Sequence, residues 1–197
     1  PDRYRTENVL EKFVEDLGPR KCKIYHIHGG MTDEELHGLY HHPRIKAYIT
    51  ATHGEGFGLP IYEAAYSGLP VVAPNWSGHR DFLSILTPGP KGRVKKEICF
   101  ERVGADFGPV PQHALMDEII TPDMQWCYPK EEKFKKALRN VYNEHKVKKR
   151  TAERLQKYLL ETFSQENQFD AMCNAVWTAA ENETTEWGLK MEEVQEI

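Results

Sequence analysis

The stretch from Ala47 to Ala73 constrains the fold more than any other part of the chain. Ala47-Tyr48-Ile49-Thr50-Ala51-Thr52 is short, apolar and β-prone, which predicts a buried strand. Gly54, Gly56 and Gly58 then let the backbone turn sharply and come close to a ligand. Pro60 suits a first helical turn, where its missing N–H costs nothing. Ile61 to Ser67 continue as a short helix, Gly68 ends it, and Leu69-Pro70-Val71-Val72-Ala73 is the next strand. Strand, glycine-rich loop, helix and strand in that order make a unit of an open α/β sheet. In such sheets ligands sit at the carboxyl ends of the strands.

Loop N–H groups and a helix N-terminus favour an anion at that place, typically a phosphate. Glu55 lies within the loop and Glu63 about one turn into the helix. A carboxylate is a poor phosphate ligand but a good acceptor for hydroxyl donors. Sugars and ribose carry paired hydroxyls, so the two carboxylates point to a sugar nucleotide. The plainer alternative is a helix-capping Glu55 and a solvated Glu63.

Glu55-Gly56-Phe57-Gly58-Leu59-Pro60, then Glu63-Ala64, then Gly68-Leu69-Pro70-Val71-Val72 resembles the donor-site signature of retaining glycosyltransferases with two Rossmann-like domains. This is the GT-B fold of family 4 type, whose signature is Glu, seven residues, Glu. The resemblance implies an α/β fold, a Rossmann-like parallel sheet with helices on both faces. It makes residues 1–182 the C-terminal, donor-binding domain, with about 20 to 180 following the family and 183–197 an acidic, frayed tail. By position Glu63 would bond the ribose hydroxyls, and Glu55, the catalytic carboxylate, would hold hydroxyls of the transferred sugar. Backbone groups of Gly56, Phe57, Gly58 and Leu59 would meet sugar and diphosphate, with Gly54 and Pro60 completing the loop. Pro74 to Phe82 stands where the family has a second donor loop, Gly-Gly-x-x-Glu. Here Ser77 replaces the first Gly and Asp81 the Glu, and Gly78 and His79 are the donor-side candidates. Arg80 is either a diphosphate partner or a surface arginine, and the loop either contacts the donor or is a turn with a buried Trp76.

The implied activity is transfer of a hexose-type sugar from a nucleotide-diphosphate sugar to a glycan, lipid or protein acceptor. No metal or other cofactor is obligatory, and no DxD motif appears. The family's basic diphosphate clamp and its N-terminal acceptor domain have no counterpart in the sequence. This chain by itself is therefore expected to bind a nucleotide diphosphate without transferring sugar. A plain dinucleotide module is disfavoured, because Gly54-x-Gly56-x-Gly58 does not match G-x-G-x-x-G. A nucleotide-binding or interaction module of the same fold without transferase activity stays open.

The 197 residues suffice for a sizeable core, and a net charge of −4 leaves no basic footprint for nucleic acid. No apolar run approaches the roughly 20 residues of a spanning helix. Cys22, Cys99, Cys127 and Cys173 are scattered, which favours reduced thiols and a cytoplasmic setting. Helices are expected over 8–17, 32–41, 130–146, 149–163 and 165–181, with Thr32 and Glu35 as a capping box. The Lys-rich 130–150 region could dock on an anionic membrane, but its alternating Glu and Lys favour a solvated face. Cys22 to His28 alternates and predicts a strand with Cys22, His26 and His28 on one face. Ordinary side chains there are a better reading than metal ligands. Residues 84–93 read as loop, Val94–Val103 as strand or edge hairpin, and 104–128 as irregular chain, with Trp126 and Tyr128 packing at the sheet edge.

Overall fold

The computed structural model describes residues 2–187. They fall into two compact units, one ending at Leu39 and the other beginning at Tyr40. The first holds α1 (Asp2–Asp16) and most of α2 (Asp33–His41). The capping box forms as expected. The Thr32 N–H donates to Glu35 Oε2 at 2.9 Å, and the Glu35 N–H donates to Thr32 Oγ1 at 3.2 Å. The strand expected at 22–28 does not form. Its Ile24, Tyr25 and Ile27 are exposed, and it joins no ladder among the described residues. Alternation alone makes no strand without a partner for the backbone groups.

In the second unit β1 (Tyr48–Ile49), β2 (Val71–Pro74) and β5 (Glu101–Val103) form a parallel sheet in the order β1-β2-β5. Tyr48 pairs with Val71, and Val72 pairs with Glu101. All four residues of β2 are buried, as a strand covered on both faces requires. Val71 and Ala73 join a core with Ile61, Ala64 and Ala65 of α3 (Leu59–Tyr66) and Leu155 and Leu159 of α5 (His145–Thr162). Val72 belongs to a second core with Val103 and with Ala137 and Val141 of α4 (Glu131–Asn143). Consecutive β2 residues thus enter opposite layers, the period of two that a strand imposes. Glu101 ties the helices to the sheet edge. It accepts Asn140 Nδ2 at 2.8 Å and pairs with Lys148 Nζ at 2.7 Å.

Further stretches of the second unit depart from expectation. Residues 84–88 are strand, not loop: β3 (Ser84–Pro88) pairs antiparallel with β4 (Val94–Ile98). The turn between them uses positive φ at Lys91 and Gly92, so the Pro and Gly of this segment close a hairpin instead of excluding one. Residues 105–109 and 125–129, read as irregular, form the second hairpin, β6 (Ala105–Pro109) with β7 (Gln125–Pro129). The last helix, α6 (Gln165–Trp187), runs beyond 181 into the stretch expected to fray; the remaining tail, 188–197, lies outside the described residues.

Leu155 is 1 % exposed between α3 and β2, so Leu155→Ala should cost about 2–5 kcal/mol in urea unfolding. Leu160→Ala, on the exposed side of the same helix, should stay within about 0.5 kcal/mol of the parent.

Candidate functional site

The glycine loop leaves the carboxyl end of β1 and delivers the chain into α3. Gly58 caps the helix with φ 89° and ψ 58°, and its carbonyl accepts the N–H groups of Ile61 and Tyr62, both at 3.0 Å. The left-handed conformation requires glycine here. Pro60 lies in the first turn of α3. Among the described residues no hydrogen bond engages the N–H groups of Gly56, Phe57 or Gly58. The loop therefore keeps donors at a helix N-terminus, the arrangement that attracts an anion. Phe57 lies against Phe82, with ring centroids 4.9 Å apart, while Leu59 is exposed.

The second loop leaves the neighbouring β2 and is latched onto the first. Ser77 Oγ accepts the Glu55 N–H at 2.8 Å and donates to the Glu55 carbonyl. The Gly78 N–H adds a bond to that carbonyl at 3.2 Å. A Cβ on Gly78 would lie 1.8 Å from the Gly56 carbonyl oxygen, so the two backbones touch where only glycine fits. Ser77 itself sits at φ 82° and ψ −178°, a region essentially reserved for glycine. Ser77 takes a backbone shape ordinarily left to glycine and adds a hydroxyl that holds it.

His79 is wholly buried, and its Nε2–H donates to the Pro74 carbonyl at 2.8 Å. Its Nδ1 is buried without a partner among the described residues. Arg80 is half-buried and makes no ion pair among the described residues. Trp76 is not buried in its turn. It is 45 % exposed and meets Phe107 of β6 edge to face, centroids 4.7 Å apart.

Both plain alternatives for the carboxylates fail. Glu55 does not cap α3, since no side chain bonds the Gly58 cap. Its half-buried carboxylate has no hydrogen-bond or ion-pair partner among the described residues. Glu63 is half-buried and accepts the Tyr40 hydroxyl at Oε2, 3.1 Å away. Burial first, then the Glu63 hydrogen bond and charge, push the Tyr40 phenol well above the ordinary tyrosine range. Tyr48 of β1 is pushed up by burial and by the charges of Glu55 and Glu63. The two tyrosines and two carboxylates thus form one cluster, which residue type and spacing did not announce. Tyr40 lies 23 positions before its partner, beyond the reach of any local pattern.

The second hairpin braces both loops. His53 stacks on Trp126 of β7 with centroids 4.8 Å apart and 18° between the planes, and Tyr128 meets its edge. His53 Nδ1 bonds the Cys127 carbonyl at 2.8 Å, and the Cys127 N–H donates to the His53 carbonyl at 3.4 Å. Trp126 therefore packs on the glycine loop. A cavity of about 120 Å³ lined by Pro70, Val71, Cys99, Glu101 and Lys148 opens at the amino ends of β2 and β5, away from these loops. Among the described residues no helix is long and apolar enough to cross a membrane, and no group of three or more His, Cys, Asp or Glu could hold a metal.

Residues 6–89 match the family model for glycosyl transferases group 1. No curated protein matches the chain. The matched stretch takes in both carboxylates, both loops and α3; it begins earlier and stops earlier than the span of about 20 to 180 expected from the motif. The match supports glycosyl transfer in general and a Rossmann-like sheet.

The Ser77 latch separates two effects. Ser77→Ala keeps the strained backbone and loses both hydroxyl bonds, so it should destabilise the chain by about 1–3 kcal/mol. Ser77→Gly loses the bonds but relieves the strain, and should unfold within about 1 kcal/mol of the parent. Equal losses in the two variants, measured by urea unfolding, would contradict the strained-serine account.

Proposed function

We propose that the loop from Gly54 to Pro60 holds a nucleotide-diphosphate sugar, and that the chain is the donor-binding part of a retaining glycosyltransferase moving a hexose-type sugar to an acceptor. The observation that carries this reading is the placement of Glu55 and Glu63 on either side of the left-handed Gly58 cap, beside unengaged loop N–H groups. Donors for an anion then lie on the same loop and helix as acceptors for hydroxyls, the pairing a sugar nucleotide needs.

In this reading the N–H groups of Gly56, Phe57 and Gly58 and the α3 N-terminus face the diphosphate. Glu63 takes ribose hydroxyls, and Glu55, its carboxylate unpartnered among the described residues, takes hydroxyls of the transferred sugar. The anomeric carbon–oxygen bond breaks with its electron pair leaving on the diphosphate. The acceptor hydroxyl oxygen bonds the anomeric carbon from the same face, and its proton passes to the departing oxygen. Fixed N–H dipoles stabilise the charge that grows on the leaving group, and one such donor is worth roughly 10²–10³ in rate. Arg80 is a candidate counter-charge, being half-buried without an ion pair among the described residues. The nucleotide sugar, an acceptor and an acceptor-binding domain are the partners this reading calls for.

The test is a thermal-shift panel of UDP-, GDP- and ADP-sugars against NAD. One class of nucleotide sugar should stabilise the chain and NAD should not. Stabilisation by NAD alone would sink the reading. Nucleotide binding without transfer, when an acceptor domain and acceptor are supplied, would favour a binding module. Glu63→Ala should weaken the nucleotide diphosphate by roughly 1–3 kcal/mol in calorimetry. Its fold should survive, because the named partner of Glu63 is the single hydroxyl of Tyr40.

A further inference from the structure

We infer that Tyr40 is a positioning residue for Glu63, holding one carboxylate oxygen so that the other acceptor positions meet a vicinal diol. The inference rests on the proposal that Glu63 receives the ribose. A glutamate has three rotatable bonds, and fixing such a side chain when a ligand arrives costs affinity. Here the cost is met in the folded chain. Tyr40 lies in the last turn of α2, Glu63 lies in the second turn of α3, and the hydroxyl reaches Oε2 at 3.1 Å. The competing acceptor, the Pro60 carbonyl, is farther, at 3.4 Å, and the phenol has one proton to give. Tyr40 is held in turn by the core on which it packs and by Tyr48, with ring centroids 6.5 Å apart. A tyrosine phenol is protonated at neutral pH and so is a donor there.

The covalent geometry of a carboxylate sets the spacing of its two oxygens, and the Tyr40 bond to Oε2 holds the direction in which Oε1 and the remaining lone pair of Oε2 face. Two adjacent hydroxyls match that spacing; one hydroxyl uses half of it. The structure therefore assigns Tyr40 to discrimination between ribose and deoxygenated sugars, with little part in holding the diphosphate.

Calorimetry of the 197-residue chain with UDP, GDP and ADP, each against its 2′,3′-dideoxy analogue, tests this. The parent chain should prefer the ribonucleotide it binds by roughly 10- to 100-fold. Tyr40→Phe should cut that preference by roughly 3- to 10-fold while leaving dideoxy affinity unchanged. In a Glu63→Ala background Tyr40→Phe should change neither affinity. A residue that only supported the fold would weaken both nucleotides alike. If the parent discriminates and Tyr40→Phe keeps the ratio within twofold, the positioning role is wrong and the ribose role of Glu63 stands. If the parent binds no nucleotide or does not discriminate, the ribose role fails and this inference with it. Tyrosine-selective carbon NMR of the unsubstituted chain gives a second readout independent of the variant's folding. The Tyr40 ring-oxygen carbon should shift with the ribonucleotide and not with its dideoxy analogue. Equal shifts with both would overturn the positioning role.

Discussion

Val72 leaves β2 on one side, and Val71 and Ala73 leave it on the other; both directions end in helices. That two-sided burial is the constraint on which the second unit depends. A strand covered on both faces has no room for polar side chains, and β2 has none. It also sets where the loops emerge. β1 and β2 run parallel as neighbours, so the chain leaving each arrives at the same edge of the sheet. The glycine loop and the Ser77 loop are brought together by strand pairing before any loop residue acts.

What the loops then do depends on backbone contact. Gly78 lies against the Gly56 carbonyl, and Ser77 spans both backbone groups of Glu55. Strain at Ser77 is tolerated because three hydrogen bonds to Glu55 over-determine its position. The β6–β7 hairpin reinforces the pair, with Trp126 and Tyr128 on His53 and Phe107 on Trp76. A loop braced in this way can present N–H groups to a ligand without first paying to order them.

The electrostatics of the site follow from the same frame. Glu55 and Glu63 are half-buried near tyrosines, with no Lys or Arg hydrogen-bonded to either among the described residues. In the function proposed above, the two carboxylates receive hydroxyls and leave the phosphates to the backbone. The matched family stretch covers this loop pair, whereas the bracing hairpin and the helices α4 to α6 lie beyond it.

The sequence by itself determined the order of strand, glycine-rich turn, α3 and β2 and the capping box of α2, although the first strand is only Tyr48–Ile49, with Ile49 exposed, in place of the buried strand expected over 47–52. Each of these is a local matter of apolar period, backbone freedom or a side chain reaching its own helix end. It determined the two carboxylates as candidates as well, since both lie in one contiguous motif. Tertiary structure alone decided which groups surround them. Tyr40 reaches Glu63 across 23 positions, Trp126 reaches His53 from β7 with α3 and five strands between them in the chain, and Ser77 reaches Glu55 from the loop after the next strand. It also decided that 84–88 is strand and that 22–28 is not, because a strand exists only where another backbone accepts its hydrogen bonds. Local pattern carries propensity; pairing and packing between distant segments carry the site.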